Sequence, residues 1–119
     1  MAILNSPDSS YQSFPLRTIY AATISANNYT VTMSDRDKTI ELNNTVASTL
    51  TVPPNSTTAF PIGSEINLLQ TNTGVFTITP GSGVTINGTP GLKIRTQWSS
   101  ATLIKRALNT WVLVGDLSA

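Results

Sequence analysis

From Thr18 onward, apolar side chains recur at every second position in short runs, and each run stops at a cluster of Pro, Gly, Asn or Asp. A two-residue alternation is the strand period, because successive side chains on an extended chain point to opposite faces. Residues 29–33 alternate in this way, and the charged group at 35–38 turns the chain into 39–42, with Ile40 and Leu42 on one face. Val46, Ser48, Leu50 and Val52 share the next face, which Pro53-Pro54-Asn55 ends. A turn at 60–63 precedes a strand at 65–71 with Ile66 and Leu68 in phase, and Asn72-Thr73-Gly74 leads into 75–79. Gly81-Ser82-Gly83 introduces 84–86, and Asn87-Gly88 is the dipeptide favoured in two-residue hairpin turns. Residues 92–95 are a short strand, and 101–106 with 111–114 form a hairpin across 107–110. No stretch of useful length carries a 3.6-residue period with caps, so α-helix is not expected.

This makes about eight to ten short strands with turn signals about every 8–12 residues, the spacing of an antiparallel sandwich or barrel. The expected fold is all-β: an antiparallel sandwich or barrel-like, jelly-roll-like module over residues 18–119. No internal repeat is evident. The expected core is Ile40, Leu42, Leu50, Val52, Ile66, Leu68, Ile78, Ile86, Leu103 and Leu113. Thr, Ser and Asn together make up about a third of the chain, and β-branched Thr suits a pleated, half-exposed surface.

Residues 1–17 read differently. Ser6-Pro7-Asp8-Ser9-Ser10 is a turn cluster, and Pro15 forces Phe14 into an extended conformation. Ile3, Leu4, Tyr11, Phe14 and Leu16 follow no period, yet they are more apolar surface than a solvated tail carries. The segment is expected to be an extended N-terminal arm that docks on a neighbouring subunit or another surface.

Composition narrows the chemistry. The 119 residues contain no His and no Cys, which removes a Ser-His-Asp triad, a thiolate nucleophile, imidazole or thiolate zinc sites and disulfides. No cofactor is expected. Only 11% of the residues are charged and the net charge is +1, a poor footing for nucleic acid, whose affinity scales with the phosphates neutralised. No run approaches the roughly 18 apolar residues that span a bilayer, and the first eight residues lack the basic and apolar regions of a signal peptide. A core this small leaves apolar surface for association with further copies.

Single motifs add little. Gly81-Ser82-Gly83 sits between strands rather than before a helix, so it reads as a turn and not a phosphate loop. Asp35 and Asp37, interleaved with Arg36 and Lys38, are expected to pair with those bases in a solvated turn rather than bind calcium. A pair of carboxylates such as Glu41 and Glu65 could meet across strands as in a glycosidase, though nothing in the sequence argues that they do. The Asn-X-Ser/Thr triplets at Asn28, Asn43, Asn55 and Asn87 follow from the composition. Lys105-Arg106 point to opposite faces of a strand and make no basic patch. Trp111 lies in an apolar strand and is expected in the core or an interface. Trp98, in a polar stretch, is the exposed aromatic and the candidate ligand contact. An enzyme is not expected.

Several stretches resemble a β-rich module of bacteriophage virion proteins. They are Thr51-Val52-Pro53-Pro54 with Ala59-Phe60-Pro61-Ile62-Gly63-Ser64-Glu65-Ile66, then Val75-Phe76-Thr77-Ile78-Thr79-Pro80, and Gly83-Val84-Thr85-Ile86-Asn87-Gly88. The most specific is the ending, Ser100-Ala101-Thr102-Leu103-Ile104-Lys105-Arg106 with Asn109-Thr110-Trp111-Val112-Leu113-Val114-Gly115-Asp116-Leu117. The resemblance covers roughly residues 40–117 and implies a homotrimeric structural protein of tail fibres or head surfaces, without a cofactor. A short chain with an arm and one compact module resembles the capsid decoration (cement) proteins of that group more than the fibres. It implies a place on the outer surface of the capsid after assembly in the host cytoplasm, with the major capsid protein as partner and neither membrane nor nucleic acid. The alternative is a tail-fibre or receptor- or glycan-binding β module.

Overall fold

The computed structural model describes residues 20–119; the arm residues Ile3, Leu4, Tyr11, Phe14 and Leu16 lie outside the described residues. The described chain is all-β, with eleven strands in two sheets and a single 3-10 turn, Met33–Asp35. The strands are β1 (Tyr20–Ile24), β2 (Asn28–Thr30), β3 (Thr39–Leu42), β4 (Ser48–Val52), β5 (Glu65–Gln70), β6 (Phe76–Pro80), β7 (Thr85–Gly88), β8 (Lys93–Ile94), β9 (Ser100–Ala107), β10 (Thr110–Gly115) and β11 (Leu117–Ser118).

One sheet has the order β1-β3-β5-β9-β10-β7 and the other β11-β8-β6-β4-β2. The pairing corrects the antiparallel jelly-roll expectation. β1, β3 and β5 run parallel, as do β2, β4 and β6. The first half of the module is therefore three stacked turns of a flattened, solenoid-like coil, each turn adding one strand to each sheet. The second half closes the coil with antiparallel strands: β9 on β5, β10 on β9, β8 on β6 and β11 on β8. β7 then lies parallel beside β10. Asn87-Gly88 is consequently not a hairpin turn; both residues sit in β7, opposite Val112 and Leu113.

The alternation holds where it was read. β3 through β6 and β9 bury every second residue, and all the expected core residues are buried; the largest fully buried side chains are Trp111 and Phe76, the latter outside that expected set. Each such side chain contributes about 1.5–3 kcal/mol on full burial. Val46 departs from its expected place: it precedes β4 and is exposed. Residues 29–33 are only partly strand, because the chain leaves β2 for the 3-10 turn.

The stacked turns meet closely at one corner. Gly74 N–H donates to Asn44 O at 2.8 Å, and a Cβ at Gly74 would collide with the backbone oxygens of Val46 and Asn44. Side-chain amides link the same corner. Asn44 Nδ2 donates to Asn27 Oδ1 at 2.8 Å and Asn72 Nδ2 to Asn43 Oδ1 at 2.9 Å. An amide can donate to the turn below while accepting from its own turn, so Asn suits this position.

Candidate functional site

Three places in the module carry polar or exposed groups that packing alone does not explain. The first is the seal at one end of the sandwich. The long connection from β4 to β5 brings Phe60 edge-on to Trp111, with ring centroids 5.4 Å apart and an interplanar angle of 86°. Lys105, facing inward from β9, is only 2% exposed. Its Nζ donates to Asn55 Oδ1 at 2.6 Å and to Phe60 O at 2.8 Å. Burial pushes its pKa down. Asn55 N–H donates to Asn109 Oδ1 at 2.9 Å, which fixes the other side of the connection. The opposite orientation of Lys105 and Arg106 follows the strand period; that Lys105 is the inward one was not read from the sequence.

The second place is the turn at Asp35, and it corrects the expectation of a solvated ion pair. Asp35 is buried, and its Oδ2 accepts from Tyr29 Oη at 2.6 Å and from Thr32 N–H at 2.8 Å. It caps the 3-10 turn and pairs with neither Arg36 nor Lys38. Arg36 instead lies 3.8 Å from the exposed carboxylate of Asp37. Burial, with Asp35 as hydrogen-bond acceptor and negative charge, pushes the Tyr29 phenol up to about 12. Glu41 opposes Leu69 in the β3–β5 ladder, four residues along the strand from Glu65. That offset is about 13 Å at the rise of a strand, so the two carboxylates are not a facing pair. Among the described residues, no group of three or more Asp, Glu, His or Cys could hold a metal ion, and no helix is long and apolar enough to cross a membrane.

The third place is the outer surface around β8, β9 and β10. Trp98 is 67% exposed, as its polar neighbours led us to expect, but its backbone is unusual for a non-glycine residue, with φ 71°. Its neighbour Ser99 donates its hydroxyl to Asp116 Oδ2 at 2.6 Å. Arg95 grips the same carboxylate with two bonds of 2.8 Å. The Arg95 guanidinium, with Ser99, holds Asp116 below the usual carboxylate range. On the outward face of β9 and β10, Ile104 opposes Val112 in register, and Val114 follows, 47% exposed. Val112, Leu113 and Val114 join Asn87, Gly88 and Thr89 in lining a shallow, open pocket of about 270 Å³. This is smaller than the roughly 300–1,000 Å³ of small-molecule sites, and its open shape suits an inserted side chain.

No protein-family pattern matches the chain, and no curated protein is similar enough in sequence to count as a relative.

Proposed function

We propose that the chain is a structural module of a bacteriophage virion, a capsid decoration protein that acts as a homotrimer on the outer surface of the head. The sequence resemblance supplies this reading, and one observation in the fold supports it best. The outward face of β9 and β10 presents Ile104, Val112 and Val114 beside the open pocket. No titratable group lies among the pocket residues, while Glu65, opposite Ile104, and Arg106, farther along β9, put charge at the rim of the patch. In this reading the patch serves association between copies. The edges of β1 and β2 also lie together at the end of the coil where residues 1–19 join it, and a strand edge is a template for pairing with further chain. In this reading the arm, with Ile3, Leu4, Tyr11, Phe14 and Leu16, clamps the major capsid protein or a neighbouring subunit.

The test has two arms. Sedimentation should give a trimer, and Val112→Lys should dissociate it while the fold persists. Labelling the protein in intact particles should mark the head, and deleting residues 1–15 should leave a folded oligomer that no longer binds undecorated shells. Label at the tail, or a truncated form that decorates shells as tightly as the full chain, overturns the decoration reading.

A further inference from the structure

Two departures from ordinary local rules meet under one loop, the connection from β8 to β9. Trp98 adopts a positive φ of 71°, a conformation that a bulky side chain rarely takes. The fold enforces it: Trp98 N–H donates to Gln70 O at 2.6 Å, Gln70 N–H to Ser99 O at 3.0 Å, and Ser99 N–H to Thr96 O at 3.1 Å. Gln70 itself is fully buried. Its Oε1 accepts from Phe76 N–H at 3.1 Å, but its Nε2 has no partner. Gly or Asn would make this turn with less strain. The position instead carries an indole that is two-thirds exposed and so gains little from packing. Strain held in place by surrounding structure, with no compensating burial, is a signature of a binding position.

The surroundings specify the ligand chemistry. Gln97 Nε2 donates to Thr71 O at 3.1 Å, which ties the loop to the end of β5. The bidentate Arg95–Asp116 pair, to which Ser99 is bonded, anchors the same loop. The charges cancel, so nothing here selects an anion or a nucleic acid backbone. A single indole is too small a patch for an apolar helix. Amides, hydroxyls and a paired guanidinium–carboxylate offer donors and acceptors in fixed planes, and the flat, electron-rich indole face takes polarised C–H groups. A sugar ring presents that combination, with C–H groups on one face and hydroxyls around the edge.

We propose that Trp98, with Gln97 and the Arg95–Asp116 pair that hold its loop, is a shallow binding platform for a neutral oligosaccharide. The site does not depend on the protein's place in a virion, and its test is separate from the particle-labelling one. The chain has two tryptophans, and Trp111 is buried, so solvent-sensitive indole emission reports on Trp98.

The full chain is titrated with chitohexaose, maltohexaose and a neutral bacterial O-polysaccharide. At least one should shift the emission to the blue, saturably and in the millimolar range or tighter. Trp98→Ala should abolish binding, Trp98→Tyr should retain a weaker form of it, and Arg95→Lys should weaken it several-fold. Trp98→Asn should also lose binding, yet melt at a higher temperature than the parent because strain is relieved. If none of the probes shifts the emission, if binding survives Trp98→Ala, or if Trp98→Asn melts lower, the platform is overturned. The last result would assign the indole to packing.

Discussion

Lys105 is the one buried cation among the described residues, and no carboxylate touches it in the hydrogen bonds that hold it. Replacing it with Met keeps most of the stem volume and deletes the ammonium. Two acceptors then lose their donor, Asn55 Oδ1 and Phe60 O. A buried acceptor left unpaired costs about 1–3 kcal/mol. Asn55 lies at the half-buried rim and can turn towards water, so the larger loss falls on the Phe60 carbonyl. Against this, the variant is relieved of holding a desolvated charge, a relief shown by the lowered pKa. We expect a net destabilisation of about 2 kcal/mol. At roughly 4–8 °C per kcal/mol for a domain of this size, the melting temperature should fall by about 8–16 °C. Lys105→Ala adds a cavity and should cost more, because truncating a buried side chain adds its own loss.

Urea melts followed by indole emission would measure both variants, and the buried Trp111 against Phe60 would report opening of the seal. The pH dependence has a definite sign. Because the folded state holds the Lys105 proton less tightly than the unfolded chain, the unfolded state binds more protons between the lowered pKa and the ordinary 10.5. This contribution to stability rises with pH through that window. It should vanish in Lys105→Met. A Met variant as stable as the parent, or more so, would refute the view that Lys105 latches the β4–β5 connection.

Other outcomes follow from the same geometry. Tyr29 should ionise near pH 12 in a spectrophotometric titration, apart from an unfolded-state phenol at 10. Since its folded pKa is raised, its contribution to stability is complete below pH 10 and lost between there and about 12; Tyr29→Phe should remove that dependence. Gly74→Ala should destabilise the fold by about 1–3 kcal/mol, the usual cost of forcing extra atoms into a packed site, because the new methyl meets backbone oxygens of the turn below. A thermal melt would check it, and an unchanged midpoint would count against the stacked turns.

Which residues are inside was legible in the sequence; which strand lies beside which was not. Ile40, Leu42, Leu50 and Val52 alternate cleanly and are all buried, because the pleat fixes the inward set whatever the neighbour. Direction of pairing leaves no such mark. Ile24, Leu42 and Gln70 occupy equivalent places in successive turns, but unequal spacing hides the repeat, since the connection holding Phe60 lengthens the second turn. Gln70 also breaks the apolar pattern at its own rung. Asp35 and Lys105 were misjudged or missed because a charged residue is normally solvated, and only the fold supplies their partners. Trp98 was legible as exposed from its polar neighbours; its backbone strain was not, as it arises from contact with Gln70 far away in sequence.

The change from jelly roll to coil matters most at the ends. In a stack of parallel turns, the first strands of both sheets lie at the same end. Here β1 and β2 are the outermost strands there, and β7 and β11 are outermost at the other. The far end is finished by short strands: β11 has two residues, and Pro90 and Gly91 follow β7. Brief edges and proline discourage further pairing. At the near end β2 is brief too, with three residues, but β1 runs for five residues without proline. Stacked-turn architectures need terminal capping to remain soluble, so chain from outside the described residues or from another copy is expected to pair along β1. Hydrogen exchange decides the matter. The amides of β1 should be protected in the full-length oligomer and should exchange faster once residues 1–15 are removed. Equal exchange in both forms would mean that the arm does not cover this end.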